Sequence, residues 1–155
     1  MTGPQSDHRV AGMERLPRAA ADETAADAAR ARYRTDTMPT LPADEFIAPV
    51  LEHGERVVAI HPSALLDRRQ PALNPHADGV AGALYVTSRR LVLAGRPTLS
   101  LDLGEVEEAV LSGQRVLLVL SNGEGVTLAV EKPRLLRAEI AAARAGRAKV
   151  SSVGR

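Results

Sequence analysis

GALYVTSRRLVLAG (residues 82–95) decides how this chain is read. Two aliphatic and β-branched runs, ALYVT (83–87) and RLVLA (90–94), flank Ser88-Arg89, and each is too short for a helix. Short apolar runs bounded by turn residues and glycine read as paired strands. The pattern continues in both directions from this hairpin.

Downstream, Gly95-Arg96-Pro97 turns the chain into TLSLDL (98–103), where Leu99, Leu101 and Leu103 alternate with polar residues. Gly104 interrupts, EVEEAVL (105–111) follows, and Ser112-Gly113-Gln114 forms a tight turn before RVLLVL (115–120). Ser121-Asn122-Gly123-Glu124-Gly125 is a strong hairpin signal leading into VTLAV (126–130), the seventh strand. Lys132-Pro133 opens a helix predicted to reach Ala148, with Leu136, Ile140 and Ala143 spaced as one apolar stripe. Upstream, RVVAI (56–60) is the first strand, closed by His61-Pro62 and followed by a long polar insert with Pro71 and Pro75. A short helix is expected from Pro42 to His53-Gly54, kinked at Pro49.

The chain has 155 residues, enough for one domain. Residues 1–40 contain few large apolar side chains and six charges of each sign, so this segment is expected to be a disordered or loosely helical tail with no face to bury. Met38 stands as a second candidate start, which would make 1–37 an upstream extension. The folded domain is expected over 41–148 and a flexible C-terminus over 149–155. Of the 20 basic residues only Lys132 and Lys149 are lysine, and alanine is abundant; this points to a GC-rich, bacterial coding sequence and warns against reading every arginine as a ligand.

Seven short strands and one closing amphipathic helix imply a strongly bent antiparallel sheet or small barrel. GALYVTSRRLVLAG (82–95), LEHGERVVAI (51–60) and EKPRLLRAEIAAARA (131–145) resemble the GRAM and bacterial pleckstrin-homology-like family over about residues 50–147. The resemblance implies a seven-stranded pleckstrin-homology-like bent sheet or barrel capped by the C-terminal helix. It also implies binding at the open end, through loops that here carry Arg68, Arg69, His76, Arg96 and Glu124. Two departures stand out: the closing helix has no Trp, and the first strand and its loop offer only Arg56, Arg68 and Arg69 beside Asp67. The second argues against inositol-phosphate recognition.

Balanced charge, 20 basic against 19 acidic residues, excludes a protein that grips nucleic acid by bulk charge. The basic C-terminal segment has no interleaved aromatics, so nucleic acid is not the expected partner. No run of 18 apolar residues and no leader-like apolar core is present, which sets the expected location as cytoplasmic or peripheral to a membrane. Without Cys, thiol chemistry is excluded. Nucleophile-elbow, phosphate-loop and metalloprotease motifs are missing, so no enzyme is expected. His61, His76 and Asp78 form no metal-ligand spacing and read as loop residues; no metal and no cofactor is expected. Glu105, Glu107 and Glu108 read as a solvated strand face, with Arg90 as a structural partner for one of them.

RVLLVL (115–120) is the most informative run. Its alternation puts Val116, Leu118 and Leu120 on one face and Leu117 and Val119 on the other, so both faces are expected to be covered. The cover is either the 42–53 segment, through Phe46, Ile47 and Val50, or a second chain. The expected function is a non-catalytic interaction module that binds a protein partner or self-associates. The alternatives are weak binding of anionic membrane lipid or a small molecule, and third an enzyme.

Overall fold

The computed structural model describes residues 5–35, 38–69 and 79–153. A helix α1 (Gln5–Thr35) precedes the strands β1 (Val57–Arg69), β2 (Val80–Thr87), β3 (Arg90–Ala94) and β4 (Leu99–Asp102). A 3-10 turn (Leu103–Glu105) leads to β5 (Val106–Ser112), β6 (Arg115–Leu120), β7 (Gly125–Val130) and the helix α2 (Pro133–Val153). The strands form one antiparallel sheet in the order β4-β3-β2-β1-β7-β6-β5. The fold is therefore mainly β with a C-terminal helix, as the alternating pattern implies. Its sheet is open, because β4 and β5, neighbours in sequence, are its two edges.

The open sheet is nevertheless strongly bent. Leu91 and Leu93 of β3 and Leu118 of β6 line one internal void of about 10 Å³, with Leu66, Leu84 and Leu128. Three strands separate β3 from β6. In a flat sheet they would stand about 19 Å apart, four spacings of about 4.8 Å. Curvature alone brings them together, and α2 closes the end with Leu136 and Ile140, both fully buried in the same core.

The long strand β1 makes the curvature. The sequence reading ended this strand at His61-Pro62, but it continues to Arg69. Its pairing with β2 skips between His61 and Ala64, a bulge that accommodates Pro62, which has no N–H to donate. Beyond the bulge β1 pairs with β2 on one side from Ala64 to Leu66 and with β7 on the other from Ala64 to Arg69. Much of the supposed insert is therefore central sheet. Gly82 marks a close approach within it: a Cβ there would collide with the Ala94 carbonyl.

Three other expectations are corrected. Of the two alternatives for the tail, residues 5–35 take the helical one, and that helix does bury a face. Ala26 and Ala29 are fully buried and Tyr33 packs against the core. Small side chains permit this close approach, so the lack of large apolar residues does not prevent packing. Asp22, only 2% exposed, accepts hydrogen bonds from the backbone N–H groups of Arg134 (2.8 Å) and Leu135 (3.0 Å). These are orphan donors of the first turn of α2, and Lys132, which precedes Pro133, has no acceptor to offer them. An N-cap is thus supplied from 112 residues away. Second, the helix expected between Pro42 and Gly54 is a run of turns over 45–50; Pro49 cannot donate, and only Ala48 and Leu51 make helix-type bonds, to Asp44 and Ile47. Third, α2, expected to end at Ala148, continues to Val153.

Asp22→Ala should lower the unfolding free energy by about 0.5–2 kcal/mol, the range for losing a helix cap. Urea titration of the full chain measures this; an unchanged midpoint would show that the cap contributes nothing. On α2, Ile140→Ala should cost about 2–5 kcal/mol. Arg144→Ala, which loses only an exposed bond to the Glu107 carbonyl (3.1 Å), should stay within about 0.5 kcal/mol. Equal losses at the two positions would refute the buried stripe.

Candidate functional site

The turn between β2 and β3 is organised by a carboxylate outside the sheet. The Glu55 side chain is fully buried, and both its oxygens are met by Arg90: Nε at 2.9 Å and a terminal nitrogen at 2.9 Å. The Thr87 hydroxyl donates to the same carboxylate at 2.6 Å, and the Glu52 backbone N–H at 2.9 Å. Burial pushes the Glu55 carboxyl up, but the hydrogen bonds from Arg90, Thr87 and Glu52 and the Arg90 charge outweigh it and leave it below its ordinary value. Thr87 also accepts from the backbone N–H of Arg89 (3.1 Å) and Arg90 (2.9 Å). Arg90 is therefore the partner of Glu55 and not of Glu105, which ends the 3-10 turn, nor of Glu107 or Glu108, which lie on the edge strand β5. This cluster is an anchor with its charges matched.

Two further polar contacts tie outer pieces to the sheet. Tyr85, 5% exposed, donates to Asp44 at 2.5 Å while Phe46 stacks on its ring, centroids 5.9 Å apart. The Asp44 hydrogen bond first, then burial, then the Asp44 charge push the phenol up to about 12. His61 is not a loop residue: it is buried on β1 with its Nε2 2.6 Å from Glu139 of α2, also buried. His76 and Asp78 lie outside the described residues. Among the described residues no three His, Cys, Asp or Glu gather as metal ligands, and no helix is long and apolar enough to cross a membrane.

Of the residues that the resemblance assigns to binding, Arg68, Arg69, Arg96 and Glu124 are described and sit at the end of the sheet opposite α2. Arg68 lies at the mouth of the 10 Å³ void, whose lining is otherwise leucine and valine apart from Ser100, and which has no room for a ligand. Arg69 pairs in register with Gly125, beside Glu124 of the β6–β7 turn. Glu124 donates its backbone N–H to Asn122 at 2.9 Å, and Gly123 adopts the positive φ (87°) that the hairpin requires. Arg96 is exposed in the β3–β4 turn. No hydrogen bond or ion pair joins Arg68, Arg96 and Glu124 among the described residues.

Leu117 and Val119 are half-buried, and the 42–53 segment does not cover them. Ile47 of that segment instead packs with Val57, Tyr85 and Val92 at the other end of the sheet. The register across β5, β6 and β7 sets Val110, Leu117 and Thr127 in one outer row. Glu108, Val119 and Gly125 form the next row on one side, and Ser112, Arg115 and Ala129 the next on the other. An apolar centre is thus flanked by an acid at one corner and a base at the opposite end.

A second concavity has no counterpart in the sequence reading. It is a cleft of about 1110 Å³ between the C-terminal half of α1, the middle of α2 and the β2–β3 turn. Arg30, Arg34, Arg56, Arg89, Arg90 and Arg147 line it against two acids, Glu52 and Asp102. Its apolar lining includes Met38, Val58, Ala138 and Ala142. The cleft could not be read along the chain, because five separate segments form it and the general arginine bias hides the cluster.

The Tyr85 phenol gives a pH prediction. Its value rises from about 10 in the unfolded chain to about 12 on folding, so its stabilising contribution is intact below pH 10 and lost between pH 10 and 12. In Tyr33→Phe, which leaves Tyr85 as the single tyrosine, absorbance at 295 nm should stay near baseline at pH 10.5. An ordinary phenol would already be mostly ionised there, and that outcome would refute the Asp44 contact.

No protein-family model and no curated protein matches the chain. One solved structure that resembles it is described as the C-terminal domain of an unknown protein from Leishmania infantum. The two are 14% identical with a TM-score of 0.39, over 50% of this chain and 72% of that one.

Proposed function

We propose that this chain is a non-catalytic protein-interaction module that pairs with a second copy through the outer face of β5, β6 and β7. The observation that carries this reading is the half-buried apolar group of Leu117, Val110 and Val119 on that face, with no described element packed over it. A sheet face with apolar residues on both sides needs a cover, and face-to-face sheet packing supplies one. The charges favour a second copy. A two-fold axis along the Val110–Leu117–Thr127 row lays the Glu108 row of one copy over the Ser112–Arg115 row of the other, bringing Glu108 beside Arg115 twice. Membership of the GRAM or pleckstrin-homology-like family is proposed with it, on the seven strands, the closing helix and the Thr87–Leu91 turn.

Native mass measurement tests the pairing. The wild type should be a dimer at about 0.1 mM, the range in which weak specific pairs form. Leu117→Asp should give a folded monomer. Glu108→Arg should weaken the dimer and Glu108→Arg with Arg115→Glu should restore it. A monomeric wild type, or a Leu117→Asp dimer, overturns the reading. Sedimentation with anionic vesicles that depends on Arg68 and Arg96 would replace it with lipid binding at the open end.

A further inference from the structure

The arginine-lined cleft is built differently from the rest of the surface. Elsewhere the described arginines meet carboxylates or lie singly. Within the cleft the cations outnumber the acids six to two. Arg90 is committed to Glu55, Arg89 to Glu52 (3.2 Å) and Arg147 to Asp102, while Arg30 reaches Asp27 at 2.7 Å. Two guanidinium groups remain without a carboxylate among the described residues, those of Arg34 and Arg56. Arg56 is half-buried, and its side chain donates only to neutral acceptors, the Met38 carbonyl and the Thr40 hydroxyl, both at 3.0 Å. A guanidinium partly withdrawn from water and satisfied only by neutral oxygens retains uncompensated charge.

The cleft also holds a neutral donor. It is the Tyr33 hydroxyl; burial first, and then the Glu139 charge, raise this phenol above its ordinary value. Beside these donors lies the apolar surface of Met38, Val58, Ala138 and Ala142. The combination selects an anion on an apolar body. Neither helix offers its N-terminus to the cleft, which α1 reaches at its C-terminal half and α2 along residues 138–147, so an anion there is held by side chains. The arginines at the rim already hold single carboxylates, in Glu52 and Asp102. From Ala138 to Arg147 the α2 wall runs about 14 Å at 1.5 Å per residue, the length of about four extended residues.

We propose that this cleft is a binding site for carboxylates carried on an apolar backbone, with Arg34 and Arg56 as the anchoring cations. Such a ligand comes from either of two sources, an acidic–apolar segment of a polypeptide or a free organic acid. The site lies apart from the outer face of β5, β6 and β7, and it stands whether or not the chain dimerises.

Calorimetry on the full chain tests it with four probes. These are a five-residue peptide alternating glutamate with leucine, the same peptide with glutamine in place of glutamate, dodecanoate below its micellar concentration, and inorganic phosphate. Binding of the glutamate peptide with a dissociation constant below about 1 mM, and no binding of the glutamine peptide, supports the proposal with a polypeptide source. Binding of dodecanoate alone supports it with a free-acid source. Arg34→Gln should weaken either ligand about threefold to tenfold, and Arg34→Gln with Arg56→Gln by tenfold or more, consistent with loss of charge-assisted hydrogen bonds. Because Arg56 also ties down the Met38 carbonyl, Arg34→Glu serves as the variant that leaves the packing intact. Equal binding of the glutamine peptide, phosphate binding as tightly as either carboxylate probe, no binding of any probe, or affinities unchanged in Arg34→Glu each overturn the proposal.

Discussion

A carboxylate with no access to water sits just before β1, and its demands organise one half of the molecule. Left without a partner, a buried charge of this kind destabilises a fold by about 3–5 kcal/mol. Glu55 is met by Arg90 through two parallel bonds, by the Thr87 hydroxyl and by the Glu52 N–H. Arg90 extends the chain of contacts to the Val50 carbonyl at 2.6 Å. The segment entering β1 and the turn between β2 and β3 are thereby held as one unit. That unit fixes Ile47 over Tyr85 and Val92 and sets Arg89 beside Glu52 at the cleft rim. The two adjacent arginines of the Ser88-Arg89-Arg90 turn thus have different tasks: one is spent on the fold, the other remains at the surface.

Most of the sheet was legible because a half-buried strand repeats every two residues and its turns carry glycine, asparagine or proline. Leu99 and Leu101, or Val126 and Leu128, announce their face without knowledge of their neighbours. What escaped depends on contacts remote in sequence. Pro62 reads as a stop, yet a bulge absorbs it once Ala64 to Leu66 are held between β2 and β7 and β7 carries the strand on to Arg69. Arg90 was matched to one of Glu105, Glu107 and Glu108 as if its strand paired with theirs, but β3 pairs with β2 and β4, and β5 lies at the opposite edge of the sheet. In the tail, burial rests on Ala26 and Ala29, whose small size gives a weak hydrophobic signal and a close helix approach.

The candidate sites divide in the same way. Leu117 and Val119 were visible because a strand with apolar residues on both faces breaks the alternation, and the structure leaves that second face without a packed element among the described residues. Arg68, Arg96 and Glu124 were assigned through a resemblance and share an end of the sheet, but they do not converge on a cavity large enough for a ligand. The cleft has no linear signature at all. Its arginines come from four segments, and composition alone makes arginine the default cation of this chain.

The Asp22 cap links these observations. Pro133 has no N–H, so Arg134 and Leu135 are the orphan donors inside the first turn of α2, and α1 meets both from a side chain that is itself buried. Arg134 reinforces the contact through Glu23 at 3.0 Å. The same docking holds Tyr33 against the core and brings Arg30 and Arg34 to the wall of the cleft. Since α2 carries Leu136 and Ile140 into the core on its buried face and Ala138 and Ala142 into the cleft lining, capping its first turn acts on both. The segment with the weakest apolar signal in the sequence therefore serves two ends, completing a helix needed by the fold and supplying one wall of the basic cleft.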